Sequence, residues 1–421
     1  MFTKKIVVIG GGPAGMTAAI RASQLGQDVT LIEKNSVLGR KLLLSGKGRC
    51  NLTNACDLDS FLGRFSKNGQ FLRDAFKVFS NLDLIDFFQK RGLKLKTERD
   101  QRVFPVTDKA DSVLQVLKKE LHKNRVEIVY NSRIKDILVD GRKVKGVTFG
   151  ENKFIAADRI ILASGGVSYS FTGSGGDGLE IAKRLGHNIV SLRPGLIPLE
   201  VKQPYPEFLE GLALGGIRLK FSDGRRQIFS DRGELLFTKS GISGPLVLSL
   251  SGKAVDWLAE NKNLYVEIDL QPDLSKEELN IRLLRESRSS PKKSIKNMLK
   301  NFLPQRLANL FMDIVRIPTD KNVSQITQKE RKEIISLLKG LRLDIARPRP
   351  TEEAMITRGG ISLKDINPRT MESRLVKNLY FAGEMIDVDA DTGGFNLQAA
   401  FSTGYLAGQS AASTFKQINT N

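Results

Sequence analysis

The chain has 421 residues, of which 40% are hydrophobic and 27% charged, the balance of a soluble globular protein with two or three domains. No apolar run reaches membrane-spanning length, and the apolar amino-terminal stretch runs into glycines, so neither a membrane span nor a signal peptide is predicted. With only 2 cysteines and 2 histidines, the sequence predicts no disulfide framework and no metal site, and it favours a cytoplasmic location.

The charge balance is the unusual part of the composition. Lys and Arg total 66 against 46 Asp and Glu, a formal net charge of +20. Positive charge of this size concentrates polyanions around a protein and favours nucleic acid as a partner. The alternative is a general surface charge that serves solubility.

The amino-terminal segment contains a strand, a glycine-rich turn, a helix, a second strand and an acid, in that order. A buried strand from Lys5 to Ile9 precedes Gly10-x-Gly12-x-x-Gly15, and a helical run starts at Pro13. In such a unit the glycines allow the tight turn, the approach of a pyrophosphate and close helix packing, while the helix N-terminus faces phosphate. The second strand, Asp28 to Ile32, ends at Glu33, placed to accept a ribose hydroxyl. The sequence therefore predicts a Rossmann-type half bound to an adenine dinucleotide.

The next part of the chain alternates between helical and extended patterns. A glycine- and cation-rich loop runs from Lys34 to Asn54, residues 70–91 favour two amphipathic helices, and residues 108–123 favour a third. Residues 126–163 are typical of short strands and end in the apolar strand Arg159 to Ala163. A second glycine cluster, residues 172–178, precedes a predicted helix from Leu179 to Leu185.

The middle of the chain changes character near Pro194 and Pro198. Residues 195–270 alternate as strands do, whereas residues 275–347 have a helical pattern in which Lys and Arg outnumber Asp and Glu. A proline-rich return at 347–350 leads back to α/β character, with a strand entering Gly383-Glu384 and a small-residue helix from Phe395 to about Ala412. We therefore expect a nucleotide domain in two parts, 1–193 and 348–421, with a β domain at 194–272 and a basic helical subdomain at 273–347.

These blocks resemble a bacterial FAD-dependent flavoprotein family that includes YhiN-type ribosomal RNA dihydrouridine synthases, BaiN-type bile-acid-intermediate reductases and aminoacetone oxidases. The resemblance covers essentially the whole chain. The motifs that carry it are Gly10 to Gly15, Gly46-Lys47-Gly48-Arg49-Cys50-Asn51-Leu52-Thr53-Asn54, Arg102 to Pro105, Gly241-Ile242-Ser243-Gly244-Pro245, and Gly383 through Asp387 to Asn396. The sequence departs from the family pattern at Phe237-Thr238-Lys239, where the family usually has His in place of Lys239.

The resemblance implies an α/β fold, in which a Rossmann-like FAD-binding domain of the glutathione-reductase and fumarate-reductase type is split by a β-barrel-like insert and a helical subdomain. It also implies non-covalent FAD. The residues expected to bind FAD are Gly10, Gly12, Pro13, Ala14, Gly15, Glu33, Lys34, Arg40, Lys41, Gly46, Asn51, Ile134, Ala163, Ser164, Gly165, Gly166, Gly383, Glu384, Asp387, Gly393, Gly394, Phe395, Asn396 and Leu397.

Two of these assignments have alternatives in the sequence itself. Gly393 and Gly394 precede a helix whose positive end would face flavin N1 and O2, or else they only permit tight helix packing. Arg40 and Lys41 would neutralise the diphosphate or contact ribose, or else they are a solvated surface pair.

Cys50 is the leading catalytic candidate, and Arg49 and Arg102 are two further candidates. A thiol next to Arg49 and Lys47 should have its thiolate favoured, and the group would supply a proton during hydride transfer. The alternative is a small buried residue under the flavin. Arg102 is a candidate for contact with a substrate phosphate or carbonyl. His122 and His187 are expected to have surface or packing roles.

Three functions compete at this stage. The first is an NAD(P)H-dependent reductase of the C5–C6 double bond of a uridine in ribosomal RNA, with NAD(P)H as a transient donor because only one dinucleotide fingerprint is present. The second is an FAD-dependent oxidase or enone reductase of a small molecule, for which the positive charge is incidental. The third is a flavin-bound RNA-binding factor. The oligomeric state is not predicted.

Overall fold

The computed structural model describes residues 3–151, 153–260 and 263–413. The chain forms two compact units, one built from Met1–Gly195 with Ala354–Asn421 and the other from Leu196–Glu353. We call them the discontinuous unit and the inserted unit. The finer four-segment division expected from the sequence stays a prediction.

The first segment of the discontinuous unit begins with the nucleotide-binding strand, turn and helix. Its helices and strands are β1 (Lys5–Ile9), α1 (Pro13–Gln24), β2 (Asp28–Ile32), α2 (Arg40–Leu44), β3 (Thr53–Asn54), α3 (Leu58–Leu62), α4 (Arg73–Val78), α5 (Asn81–Gln89), β4 (Leu95–Thr97), β5 (Arg102–Pro105), α6 (Ala110–Lys123), β6 (Glu127–Val129), β7 (Ile134–Asp140), β8 (Lys143–Phe149), β9 (Lys153–Ala156), β10 (Arg159–Leu162), α7 (Asp177–Arg184) and β11 (Ile189–Gly195).

The inserted unit mixes strands and helices, and the chain then returns to the discontinuous unit. The inserted elements are β12 (Leu199–Val201), α8 (Tyr205–Leu209), β13 (Ala213–Ser222), β14 (Gln227–Phe229), β15 (Gly233–Thr238), β16 (Gly241–Ser243), α9 (Pro245–Ala259), β17 (Tyr265–Asp269), α10 (Lys276–Ser289), α11 (Ile295–Leu299), α12 (Gln305–Val315), α13 (Gln328–Gly340) and β18 (Leu341–Pro348). The returning segment contains β19 (Ile356–Ile361), β20 (Leu379–Phe381) and α14 (Phe395–Ala412).

A parallel sheet in the order β20-β10-β1-β2-β6 is the core of the discontinuous unit. Ile6, Val7 and Val8 of β1 are all fully buried. Strands of this kind are apolar on both faces because helices cover both sides of a parallel sheet. The sheet therefore has the Rossmann-like arrangement that the sequence predicted.

Helices α1 and α14 pack closely through glycine. A Cβ atom at Gly404 would lie 2.2 Å from the carbonyl oxygen of Ala14, and one at Gly408 would lie 2.4 Å from that of Ala18. No side chain fits at either position, so the backbones approach each other directly. This contact fixes the amino-terminal end of α14 relative to the turn that follows β1.

The sheet of the inserted unit is a closed antiparallel ring. The strand order β13-β15-β16-β12-β18-β17 closes because β17 also pairs with β13, and β14 joins the outside of β13. Every one of these pairings is antiparallel. The predicted fold class, with a β-barrel-like insert, is confirmed.

Two predictions of secondary structure in the insert are wrong. Residues 245–259 form helix α9 within the stretch expected to be strands, because the apolar run at its start is compatible with either element. Residues 341–348 form strand β18 rather than helix. Leu341, Leu343 and Ile345 are buried and alternate with more exposed residues, and this strand period follows α13 without a separating loop.

Candidate functional site

The carboxylate of Glu33 lies at the carboxyl ends of β1 and β2. Gly10 N–H donates to the carbonyl of Ile32 at 2.9 Å, and Gly11 N–H donates to Oε2 of Glu33 at 2.7 Å. The backbone and side-chain N–H groups of Asn35 donate to Oε1 at 2.8 and 2.6 Å. Oε1 therefore accepts two hydrogen bonds and Oε2 only one, so Oε2 retains the capacity to accept from a hydroxyl group.

The glycines of the turn have distinct roles. A Cβ atom at Gly15 would lie 1.9 Å from the carbonyl oxygen of Gly10, so only glycine allows the first turn of α1 to lie this close to the turn after β1. A Cβ atom at Gly12 would meet no heavy atom within 4 Å. The open space beside Gly12, at the positive end of α1, fits the diphosphate of a dinucleotide. Pro13 and Ala14 form the first turn of the helix.

Lys34 and Arg40 lie near this turn and have protein partners. The Lys34 ammonium is 2.9 Å from Oδ2 of Asp177, which also pairs with Arg133 at 2.6 Å. Arg40 is exposed and its Nη1 donates to the side chain of Asn35 at 3.0 Å. Both cations therefore surround the Glu33–Asn35 pair, although neither contacts the carboxylate of Glu33 in a described hydrogen bond.

A polar network joins Lys41 to Glu384. The Lys41 ammonium donates to Oε2 of Glu384 and to the Ser168 hydroxyl, both at 2.6 Å. Oε1 of Glu384 accepts from the Ser168 hydroxyl at 2.9 Å and from Thr357 N–H at 2.7 Å. Lys41 and Glu384 were predicted site residues, whereas no sequence signal identified Ser168 or Thr357. The network fixes three segments that are distant in the chain.

The block around Asn51 meets the start of α14. The Asn51 amide donates to the carbonyl of Thr53 and accepts from Gly394 N–H, both at 3.1 Å. A Cβ atom at Gly394 would lie 2.5 Å from the Thr53 backbone. Asn396 holds the preceding loop, since its amide exchanges hydrogen bonds with the backbone of Ala390 at 2.8 and 3.0 Å. Tight packing at Gly394 is therefore present in the structure.

The remaining candidate cofactor residues of the discontinuous unit lie at strand ends and loops. Ser164 N–H, just after β10, donates to the sulfur of Met385 at 3.3 Å. Gly383 N–H donates to Thr403 Oγ1 at 2.9 Å. Ala163, Gly165 and Gly166 follow β10, and Ile134 is buried at the start of β7. Gly46 lies beside the backbone of Asn51. Gly393 precedes α14, in which Phe395 is buried against Phe61 and Leu397 is half-buried.

The expectation that cations favour the Cys50 thiolate is wrong. The Cys50 side chain is fully buried, and burial raises the pKa of its thiol to about 12. The Arg49 guanidinium instead pairs with Glu98 and Asp108, and it lies 4.2 Å above the ring of Phe104. Because carboxylates neutralise Arg49 and no water reaches the sulfur, Cys50 remains a neutral thiol at physiological pH.

Arg102 and Asp387 are both partly buried and held by their own surroundings. Arg102 Nε donates to the carbonyl of Arg99 at 3.1 Å. Burial, and then the neighbouring charge of Asp389, raises the pKa of the Asp387 carboxyl. Asn68 donates to the backbone carbonyl of Asp387 at 3.0 Å, so the loop that carries this carboxyl is anchored.

The basic run on α10 and α11 has few acidic neighbours. Among the described residues, no ion pair joins its cations to a carboxylate; they are Arg285, Arg288, Lys292, Lys293, Lys296 and Lys300. The acid within the run, Glu286, accepts from Asn301 Nδ2 at 2.9 Å. Arg285, Arg288, Lys292 and Lys300 are exposed, and Lys293 and Lys296 are half-buried. We call these six cations, which follow one another along α10, α11 and the adjoining loops, the α10–α11 basic surface. Lys239, at the position where the sequence departs from its family pattern, is exposed between β15 and β16.

Membrane-spanning helices and metal-ligand clusters are both absent from the described ranges. None of the helices in residues 3–151, 153–260 and 263–413 is long and apolar enough to cross a membrane. Within the same ranges, no three side chains of His, Cys, Asp or Glu come together as a metal site would require.

Comparison with known proteins gives a consistent result. The family model for the HI0933-like protein Rossmann domain matches residues 4–410. The chain is 31% identical over 411 residues to the 3-dehydro-bile acid delta(4,6)-reductase of Clostridium scindens, covering 97% of this chain and 99% of that protein. It is 32% identical over 409 residues to the ribosomal RNA dihydrouridine synthase of Escherichia coli, covering 96% of each.

A solved structure shares the fold at lower identity. The 3-ketosteroid delta1-dehydrogenase from Sterolibacterium denitrificans superposes with a TM-score of 0.53 at 13% identity, covering 98% of this chain and 100% of that one. At this identity the similarity concerns the fold alone.

Proposed function

The chain belongs to the HI0933-like Rossmann-domain family of FAD-dependent oxidoreductases, and from that premise we propose that it reduces the C5–C6 double bond of a uridine in ribosomal RNA. The observation that favours RNA as the substrate is the α10–α11 basic surface, in which positively charged side chains follow one another along the chain with a single acid between them. A relative of nearly equal length is named for this reaction. Such a substrate implies a cytoplasmic enzyme.

The residues present fit FAD. The open space beside Gly12 would receive the diphosphate, and Glu33 would accept from the ribose. Lys41, held by Glu384 and Ser168, would contribute positive charge near the same cofactor. Bound FAD would supply hydride transfer, with NAD(P)H as the electron donor that visits transiently.

The proton and the RNA would be handled by this chain's own groups. The Cys50 thiol, kept protonated by burial, would hold the proton destined for uracil C5. Helix α14 would present its positive end to the flavin, where negative charge gathers. The α10–α11 basic surface would bind phosphates of the RNA substrate, and the uridine would be unstacked to react.

A second candidate function is the reduction of a small conjugated ketone. The Clostridium scindens relative, named for a bile acid, is as similar to this chain as the RNA enzyme is. The α10–α11 basic surface would then be incidental. We do not retain the hypothesis of a non-enzymatic flavin-bound RNA-binding factor, because the chain belongs to an oxidoreductase family.

Mass spectrometry of ribosomal RNA from cells that lack this protein should reveal the loss of one dihydrouridine. The affected fragment should be lighter than its wild-type counterpart by the mass of two hydrogens, and re-expression of the protein should restore the difference. Identical RNA in both strains would contradict the proposal. If the purified protein also failed to bind RNA in a salt-sensitive way, the reduction of a small molecule would become the favoured function.

The wild-type protein should purify with non-covalent FAD at about one per chain, and Gly12→Ala should purify as a folded apoprotein. The added methyl group meets nothing within 4 Å in the structure, so it should obstruct only a bound diphosphate. Flavin absorbance before and after denaturation measures both outcomes. Gly215→Ala is the matched control, since a Cβ atom there also meets nothing within 4 Å. A flavin-loaded Gly12→Ala protein would show that the diphosphate lies elsewhere.

A further inference from the structure

The loop between β10 and α7 presents two aromatic rings. The rings of Tyr169 and Phe171 lie 5.7 Å apart at an angle of 68°. The Phe171 side chain is 61% exposed, while Tyr169 is half-buried beneath it. We call this pair the aromatic platform. It has no part in the core of the discontinuous unit and no role in the site described above.

The platform is held in place by its own loop. The carbonyl of Tyr169 accepts from both the backbone N–H and the hydroxyl of Thr172 at 2.8 Å. The carbonyl of Thr172 in turn accepts from Asn35 Nδ2 at 3.2 Å, and the adjacent Ser168 belongs to the Lys41–Glu384 network. The loop is therefore held at one end by Asn35, which also binds Glu33, and at the other end by the Lys41–Glu384 network. An exposed ring on an anchored loop loses little conformational freedom when it binds a partner.

Three cations contact the loop that carries the platform or the start of α7 that follows it. The Lys41 ammonium lies 6.0 Å from the centre of the Tyr169 ring. The Lys34 ammonium lies against the same glycine loop, 3.6 Å from the position of a Cβ atom at Gly175. Arg133 is 73% exposed and shares Asp177 with Lys34, so two cations face one carboxylate. The chemistry complementary to this surface is a planar ring attached to an anion.

We propose that Tyr169 and Phe171 form a stacking site for an unstacked base of the RNA substrate, with Arg133 as a cation for the phosphates of that strand. The inference rests on the proposed function and adds to it a second contact with RNA, on the discontinuous unit. Single-stranded RNA is recognised by aromatic stacking together with cations along the backbone, and both are present here.

Phe171→Ala should weaken the binding of a short single-stranded ribosomal RNA fragment by roughly ten- to a hundredfold, the range for losing one stacked base. The salt dependence of binding should stay unchanged, because no cation is removed. With 2-aminopurine in the fragment, the wild-type protein should alter the fluorescence of the base and the variant should not. Phe171→Trp should restore binding. Phe154→Ala, on β9 and 51% exposed, is the matched control and should bind as wild type does.

Each other outcome overturns the proposal in a recognisable way. Wild-type RNA affinity in Phe171→Ala would exclude the aromatic platform as an RNA contact and would leave the proposed function unaffected. Absence of RNA binding by the FAD-loaded wild-type protein would exclude both the stacking site and the proposed reduction of RNA. Unchanged RNA affinity with slower flavin reduction by NAD(P)H would assign the platform to the electron donor instead of RNA.

Discussion

Replacing Cys50 by alanine should leave FAD bound and slow substrate reduction by about a hundredfold or more, the contribution of a positioned general acid. The thiol is fully buried and burial raises its pKa to about 12, so it carries a proton throughout the physiological range. Loss of that proton should lower kcat more than it changes KM, because the group acts in the chemical step. Stopped-flow measurement of substrate reduction, with the flavin reduced in advance, isolates this step.

Cys56→Ala is the matched control for this change. Cys56 is the other cysteine of the chain, half-buried in the segment just after Asn54, and has no assigned role in the reaction. Flavin content of the Cys50→Ala protein should match that of wild type, whereas its thermal unfolding temperature should fall modestly because the change removes a fully buried sulfur atom. Wild-type kcat in Cys50→Ala, at saturating substrate, would assign Cys50 to packing alone.

Replacing four lysines of the α10–α11 basic surface by glutamine should weaken RNA binding and flatten its salt dependence. The positions are Lys292, Lys293, Lys296 and Lys300. Each phosphate contact with a single strand contributes about 0.7 to the slope of log affinity against log salt, so the slope should become shallower by up to about three. Flavin content and reduction of the flavin by NAD(P)H should be unaffected, since the residues that fit FAD belong to the discontinuous unit.

A variant with the same loss of charge elsewhere separates a specific surface from the general charge of the protein. Four exposed lysines of the discontinuous unit serve this purpose: Lys119, Lys123, Lys143 and Lys153. Their replacement by glutamine should change the salt slope much less. Equal effects in the two variants would mean that the positive charge acts as a diffuse field, and the small-molecule function would then lead.

The fold was largely predictable because local signals agreed with one another. The strand, glycines, helix and acid from Lys5 to Glu33 specify one arrangement, and the structure has it, with Gly11 N–H bonded to Glu33. The insert was harder to predict. The apolar start of α9 fits either a strand or a helix, and only its packing among the strands of the closed ring decides.

The candidate site was less predictable because long-range contacts determine its electrostatics. Cys50 has two cations near it in the sequence, yet Glu98 and Asp108 arrive from distant segments and neutralise Arg49. Ser168, two residues after Gly166, and Thr357 were not predicted as site residues and still complete the network around Glu384. Composition and spacing identify which residues carry chemistry, but burial and partners determine their protonation.

The two crossings into the inserted unit leave the discontinuous unit from one pair of strands. Gly195, at the end of β11, is the direct antiparallel partner of Ile356, at the start of β19. Joining neighbouring residues by a short or a long segment alters the loop-closure entropy only slightly, so the sheet tolerates very different insertions at this point. The segment between Gly195 and Ile356 can therefore be shortened, lengthened or replaced without separating β11 from β19.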